Sequence, residues 1–177
     1  MADDVPATEE PVAPEAAPQT ETWHGFPVTL TRGVRVLHPS REGYVALVRD
    51  LRSEGWLMCI DLTAVDYLAH RRSDLPAEIA PERFEVVVAL ISHQERDRLR
   101  LRVQVPEADP VLPTLFEVHP GTEAMEREVF DMFGISFTGH PDLTRILMPE
   151  EWEGHPLRKD YAIGRIPVQF KDAPAPR

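Results

Sequence analysis

The chain has 177 residues, a single cysteine and a formal net charge of −11. This length is enough for one domain that buries roughly 70% of its unfolded surface. The most apolar run, residues 84–91, is far shorter than the about 20 residues that cross a bilayer. Contacts to phosphate and to anionic headgroups need clustered Lys and Arg, so an acidic chain without such clusters is not expected to bind nucleic acid or anionic lipid.

The cysteine content limits the kinds of site that the chain can build. Cys59 stands alone, which excludes an internal disulfide and a four-thiolate zinc or iron–sulfur site made by this chain. A cytosolic compartment is therefore expected. The N-terminus has no basic patch followed by an apolar region, so we expect no secretory signal.

Residues 1–22 are predicted to be a disordered acidic tail. They contain six acids and no Lys or Arg, so they carry −6 of the −11 and leave −5 for the rest. Ala, Pro, Glu and Thr dominate the segment, and almost nothing in it can be buried. Such a composition cannot offset the entropy lost on ordering.

Residues 23–134 are predicted to form an α+β domain, because extended and helical patterns alternate along them. Ser40 can cap a helix whose apolar residues recur at helical spacing, and Gly55 ends it. The elements predicted up to residue 81 are two short extended pieces within 26–37, a helix over 41–53, a strand over 56–65 and a loop over 66–81.

A β-hairpin is the clearest local prediction. Residues 83–92 are almost continuously apolar, as expected where both faces of a strand are covered, and residues 93–97 make the turn. The return strand alternates apolar residues with polar ones, which predicts one solvated face. An arginine ladder can bind an anion, but such alternation is more often only a solvated face. The polar positions are Arg98, Arg100, Arg102 and Gln104.

Two helices are predicted after the hairpin. Asp109-Pro110 offers an N-cap and a first helical position for a short helix that ends near Val118. A second helix is predicted over 122–133, with Gly134 as a left-handed cap. Its apolar stripe consists of Met125, Val129, Met132 and Phe133.

The second helix also carries candidate catalytic carboxylates. Arg127 can pair with Glu123 and Asp131 at i, i+4 spacing, each pair worth about 0.2–0.5 kcal/mol. A helical wheel places Arg127 and Asp131 opposite the apolar stripe, with Glu126 and Glu128 at its borders. Carboxylates beside an apolar face can act as acid and base, although a charged helix surface is the commoner explanation.

The triplet Gly-His-Pro occurs twice, around His140 and His155. With Asp142 or Asp160 these histidines offer the side chains of a metal site, but not the usual ligand spacing. Gly permits positive φ and Pro keeps the preceding residue extended, so two fixed turns are predicted. The enzyme alternative is an acid–base or metal site that uses Glu126, Glu128, His140 and His155.

Residues 135–177 are predicted to form an irregular C-terminal docking arm. Apolar residues are spread there through a backbone rich in Gly and Pro, with a single turn over 150–152 after Pro149. An extended apolar arm needs a surface to lie on. We expect residues 135–170 to bury apolar surface against another subunit rather than only against their own domain.

Residues 126–161 resemble the 30-kDa-type C subunit of proton-translocating NADH:quinone oxidoreductase, respiratory complex I. The chain departs from the family pattern at Ala124, Thr144 and Glu151, and none of these positions lies in the Gly-His-Pro triplets. The matching residues are Glu126-Arg127-Glu128, Asp131 to Ile135, Phe137, Gly139-His140-Pro141, Leu143, Arg145-Ile146-Leu147, Pro149, Trp152 and Gly154 to Tyr161.

The resemblance implies a non-catalytic subunit of the peripheral arm, on the cytoplasmic side of the cell membrane. It would help to hold the quinone-reducing module together, next to subunits D, B and I. The chain itself would bind no cofactor, because FMN, the iron–sulfur clusters and the quinone would belong to partner subunits. An equivalent subunit of a membrane-bound hydrogenase-type complex is the alternative.

The expected fold is α+β, with a mixed or largely antiparallel sheet of about four strands, packed helices and the irregular arm. Charged and aromatic residues of the resembling block are the expected interface. They are Glu126, Arg127, Glu128, Asp131, His140, Arg145, Trp152, His155, Arg158, Lys159, Asp160 and Tyr161.

Overall fold

A six-stranded mixed sheet dominates the computed structural model, which describes residues 21–70 and 74–162. In the order of the chain, the elements are β1 (Thr22–Trp23), β2 (Phe26–Thr31), β3 (Val34–Leu37), α1 (Tyr44–Ser53), β4 (Met58–Asp66), β5 (Phe84–Ser92), β6 (Asp97–Val105), β7 (Val111–Pro113), a 3-10 turn (Pro120–Thr122), α2 (Glu123–Phe133) and β8 (Ser136–Thr138).

The strands of the main sheet lie in the order β1-β2-β3-β6-β5-β4. Every neighbouring pair is antiparallel except β3 and β6. The α+β class and the mixed, largely antiparallel sheet are therefore confirmed. Six strands replace the expected four because residues 22–37 pair onto the sheet, and Thr22 belongs to a strand rather than to the predicted tail.

Several local predictions are confirmed. Residues 26–37 form a hairpin in which Arg32 and Gly33 have φ of 52° and 78°, as a tight two-residue turn requires. The β5–β6 hairpin pairs Ser92 with Asp97 at its tip. Helix α2 ends at Gly134, whose φ of 72° is left-handed.

The core lies between one face of the sheet and the two helices. Alternate residues of β5 and β6 are fully buried there, as the period of two dictates. Helix α1 adds Tyr44, Leu47, Val48 and Leu51 to the same cluster, and α2 adds Val129, Met132 and Phe133. Each fully buried aliphatic or aromatic side chain contributes about 1.5–3 kcal/mol.

The opposite face of the sheet corrects two predictions. Val87, Ala89 and Ile91 are only half-buried there, so β5 is not fully covered on both faces. Arg102 is not on a solvated face: it is 9% exposed and donates to Glu85 and Asp74. The loop before β5 brings Asp74 over Arg102, whereas Arg98 and Arg100 are exposed as predicted.

The predicted helix after Asp109-Pro110 is wrong. Val111–Pro113 is a strand, β7, which pairs in parallel with β8. Pro113 lacks the N–H that a helix needs at this position, and residues 136–138 satisfy the backbone instead. This pairing joins segments on either side of α2.

Helix α1 starts three residues later than predicted. Its N-cap is Gly43, and the Ser40 hydroxyl accepts the amide of Gly43 at 3.2 Å rather than capping the helix. The Ser40 carbonyl also accepts the Tyr44 amide at 3.1 Å. Residues 41–43 therefore form a turn that leads into the helix.

The first residues after Gly134 take part in the packing of the domain. Ile135 is 0% and Phe137 2% exposed, and residues 136–138 form β8. The predicted tail over 1–20 and the predicted arm beyond 162 lie outside the described residues. No helix within the described ranges is both long and apolar enough to cross a membrane.

Candidate docking site

The buried carboxylate of Asp131 organises the segment that follows α2. Asp131 is 0% exposed, and its Oδ2 accepts the amides of Ile146, Leu147 and Met148 at 3.1, 2.8 and 2.8 Å. Its Oδ1 accepts Arg145 Nη1 at 2.6 Å. A helix residue thus fixes four consecutive residues of an irregular loop.

Arg145 connects Asp131 to a second stretch of the arm. Its Nη2 donates to the carbonyls of Trp152 and Gly154 at 2.8 and 3.1 Å. The guanidinium therefore holds residues 145–148 and 152–154 side by side. Because these bonds involve an ionised donor, they are stronger than neutral ones.

The last carbonyls of α2 are capped by the second Gly-His-Pro segment. His155 Nδ1 donates to the Asp131 carbonyl at 2.9 Å, the Leu157 amide to Met132 at 3.0 Å, and Arg158 Nε to Phe133 at 2.6 Å. These carbonyls have no intrahelical partner. The arm thus serves as the C-cap of α2.

Gly134 is required where the arm crosses the helix end. A Cβ at this position would lie 2.5 Å from His155 Nε2 and 2.7 Å from Arg158 Nη2. Its left-handed φ is also unfavourable for residues with a side chain.

The distal end of the arm is attached to the sheet by ion pairs. Arg83 bonds to Asp66 at 2.9 Å and to Asp160 at 2.8 Å, and it also pairs with Glu107. Asp66 Oδ2 accepts the Lys159 amide at 2.9 Å. Residues 159 and 160 are therefore held against the adjoining ends of β4 and β5.

Burial and hydrogen bonds shift the titration of these groups. For Asp131, burial alone would raise the pKa, but the Met148 amide, Arg145 and the two other amides together hold the pKa below its usual range. Asp160 has a lowered pKa because of Arg83. Burial, together with nearby arginines, lowers the pKa of His155.

Glu126 supports the fold from inside the domain. It is 0% exposed and accepts from the Leu115 amide at 2.8 Å, from Thr122 Oγ1 at 3.0 Å and from Thr114 Oγ1. Burial raises its pKa despite these donors. Glu128 is exposed, so the structure does not bring the two carboxylates together as an acid–base pair.

The helical wheel did not predict the burial of Asp131, which arises because the loop over 145–148 covers that side of α2. Its ion-pair partner is Arg145 rather than Arg127. Arg127 donates instead to Thr144 and to the Arg145 carbonyl. Sequence periodicity describes an isolated helix and cannot show that a later loop returns to its polar side.

The side chains of His140 and His155 stabilise the fold through hydrogen bonds to the backbone. His140 Nε2 donates to the Glu123 carbonyl at 3.0 Å, and its Nδ1 accepts the Asp142 amide at 3.1 Å. His155 caps α2 as described above. Within residues 21–70 and 74–162, no group of three or more His, Cys, Asp or Glu could hold a metal ion.

The remaining predicted interface residues also lie in this arm. Trp152 closes a turn by donating its amide to the carbonyl of Pro149 at 3.0 Å, and Tyr161 lies against Gly154.

Asp66 and Arg83 were missed by the sequence prediction. Asp66 directly follows one predicted strand and Arg83 begins the next, which could have indicated that they meet.

Some apolar side chains of the arm face outward. Ile146, Leu147 and Leu157 are 40%, 61% and 48% exposed, although the backbone beside them is fixed by Asp131 and Met132. A cavity of about 480 Å³ lies elsewhere, between β2, Ser40 and residues 78–80. No predicted interface residue lines that cavity.

Comparison with known proteins identifies the family. The family model described as "Respiratory-chain NADH dehydrogenase, 30 Kd subunit" matches residues 37–166. The C subunit of NADH-quinone oxidoreductase from Saccharopolyspora erythraea is 41% identical over 152 residues, which cover 84% of this chain and 57% of that protein. The protein of the same name from Salinispora tropica is 43% identical over 152 residues, or 84% and 58% of the two chains.

One solved structure agrees with this match, and a second shows the same fold. The trypsin-resistant fragment (1–134) of Nqo5 superposes with a TM-score of 0.60 at 34% identity, covering 67% of this chain and 90% of that one. A chain of the membrane-bound sulfane sulfur reductase, an archaeal respiratory membrane complex, shares the fold with a TM-score of 0.63 at 22% identity, covering 91% of this chain and 92% of that one.

The present chain spans less than two thirds of the length of the two curated relatives. It belongs to the family of the 30 Kd subunit of respiratory-chain NADH dehydrogenase, the C subunit of NADH-quinone oxidoreductase.

Proposed function

We propose that the chain is a non-catalytic structural subunit of a proton-pumping NADH:quinone oxidoreductase. It holds the quinone-reducing module together in the peripheral arm, next to subunits D, B and I. It is attached to the membrane only through the complex, on the cytoplasmic side. FMN, iron–sulfur clusters and quinone are bound by partner subunits.

One observation carries this proposal beyond family membership. The arm exposes Ile146, Leu147 and Leu157, while Asp131 and Arg145 use their charge to fix its backbone. Exposed apolar side chains on a fixed irregular segment are typical of a surface that a partner covers.

Reconstitution tests the proposal. The complex is assembled with and without this chain, and NADH:quinone reductase activity and the amount of each other subunit are measured. We expect the quinone-reducing module to be lost or unstable without the chain, and to be restored when the chain is added back. Full assembly and activity in its absence would contradict the structural role.

The second candidate is the equivalent subunit of a hydrogenase-type membrane complex. The fold shared with a chain of an archaeal respiratory membrane complex motivates it. Affinity purification of the native assembly separates the two candidates by the subunits recovered. An NADH-oxidising module among them supports the first candidate, whereas a hydrogenase module supports the second.

A further inference from the structure

In and near the arm, the side chains of the arginines and of the glutamates face in different directions. The name "arm surface" is used here for the exposed side chains of Ile146, Leu147 and Leu157 together with Glu150, Glu151 and Glu153. Arg145 holds residues 152–154 beside residue 145, and the Pro149–Trp152 turn carries Glu150 and Glu151. The acids therefore lie in the same folded segment as the exposed aliphatic side chains.

The arginines near this surface are directed inward. Arg127 donates to Thr144 and the Arg145 carbonyl. Arg145 is bonded to Asp131 and to two carbonyls, and Arg158 Nε to Phe133. All three arginines are half-buried. These guanidinium groups therefore donate hydrogen bonds within the chain.

The acids of the arm surface are directed outward, whereas Asp131 and Asp160 are bonded within the chain to Arg145 and Arg83. Glu150, Glu151 and Glu153 are exposed, as are three further acids close by in the sequence. Lys159 is the only exposed cation in residues 135–162, a range that the structure describes throughout. The three further acids are Glu123, Glu128 and Asp142.

We propose that the arm surface binds a basic face of a partner subunit, on which Lys or Arg side chains surround an apolar cleft. The inference rests on the proposed function and specifies the chemistry of the partner. Opposite potentials across an interface steer association and exclude wrong partners. A second copy of this chain carries the same −11 and is disfavoured by like-charge repulsion, as are nucleic acid and anionic lipid.

The aliphatic side chains and the acids contribute differently to binding at this interface. Burial of Ile146, Leu147 and Leu157 supplies affinity, because the removal of apolar area from water is favourable. Exposed acids at the rim mainly change the association rate and its dependence on salt. The two contributions can therefore be separated by kinetics.

The test measures rebinding of the purified chain to a complex from which it has been removed, at several salt concentrations. The variant is E150Q/E151Q/E153Q, and the matched control is E42Q/D50N/E95Q, which removes three exposed acids from a distant part of the sequence. At low salt we expect the arm variant to associate at least about tenfold more slowly and with weaker salt dependence. The control is expected to associate like the wild type.

The outcomes separate this inference from the proposed function. If the wild-type chain fails to rebind, the proposed function is contradicted. If the wild type rebinds and the arm variant matches it in rate and salt dependence, only the basic-partner inference is overturned. Loss of rebinding in E150R/E151R/E153R, with its circular dichroism unchanged, would support the inference. Self-association that these substitutions alter would overturn it in favour of a second copy as the occupant.

Discussion

Asp131 shows how a single residue can organise a long irregular segment. A buried charge is costly unless it is fully paired and hydrogen-bonded, and Asp131 satisfies this condition with three amides and one guanidinium. These donors come from consecutive residues of the arm. The carboxylate and the loop therefore stabilise each other.

We predict that Asp131→Asn lowers the free energy of unfolding by about 3–5 kcal/mol, because it leaves the charge of Arg145 without its partner. Denaturant unfolding at neutral pH measures the loss. Asp142→Asn is the matched control, since Asp142 is an exposed acid of the same arm, and its effect is expected to stay within about 0.5 kcal/mol. Equal effects of the two substitutions would contradict the role assigned to Asp131.

The pH dependence of this difference follows from the lowered pKa of Asp131. A carboxyl whose folded pKa is depressed stabilises the protein above its unfolded pKa of about 3.9, and this stabilisation is lost as pH falls through the folded pKa. The stability gap between wild type and Asp131→Asn is therefore expected to narrow below about pH 4. A gap that is constant from about pH 7 to about pH 3 would argue against an ionised Asp131.

Gly134 offers a second test at a single residue. Gly134→Ala places a side chain at a left-handed position, at a cost of about 1–2 kcal/mol, and forces His155 and Arg158 to move. Gly121→Ala is the control, because a Cβ at Gly121 would meet nothing within 4 Å. Thermal unfolding is expected to show a clear loss for Gly134→Ala and a much smaller change for Gly121→Ala. Indistinguishable melting temperatures would refute the close approach of the arm.

Among the elements, the distal arm is held by a separable set of ion pairs. Arg83 pairs with Asp160 of the arm and with Glu107 of the domain, and both carboxylates are about half exposed, at 51% and 59%. Such a pair contributes little to global stability. Its local effect is to keep residues 159 and 160 against the sheet.

We predict that Asp160→Asn accelerates amide hydrogen exchange at residues 157, 159 and 161 with little change elsewhere. Glu107→Gln removes a comparable partner of Arg83 but leaves the arm attachment in place, so exchange in the arm is expected to match the wild type. Hydrogen exchange resolved by residue measures both. Equal acceleration in the two variants would mean that Asp160 does not hold the arm.

The elements differ in how well their sequence predicts them. The β5–β6 hairpin, α2 and Gly134 follow from local periodicity and turn chemistry, so their prediction succeeded. Strand β7 was predicted as a helix because its partner, β8, lies beyond α2 in the sequence. Pairing between distant segments leaves no local pattern.

At the scale of the whole molecule, the residues of the 126–161 block were expected to contact a partner. In the structure, many of them instead form hydrogen bonds or ion pairs within the chain. Arg145, His155 and Arg158 are bonded to α2 or to the arm itself. The arm surface exposes aliphatic and acidic side chains, and we propose that these meet the partner. We therefore expect docking of a preformed surface rather than folding upon binding.

Hydroxyl-radical footprinting of the native assembly and of the free chain tests the docking role most directly. It compares side-chain oxidation of Leu147 and Leu157 with that of Leu30, which is 71% exposed on β2 and outside the arm. We predict that oxidation of the two arm leucines falls several-fold in the assembly relative to Leu30. Equal oxidation of Leu147 and Leu157 in the free chain and in the assembly would contradict the account.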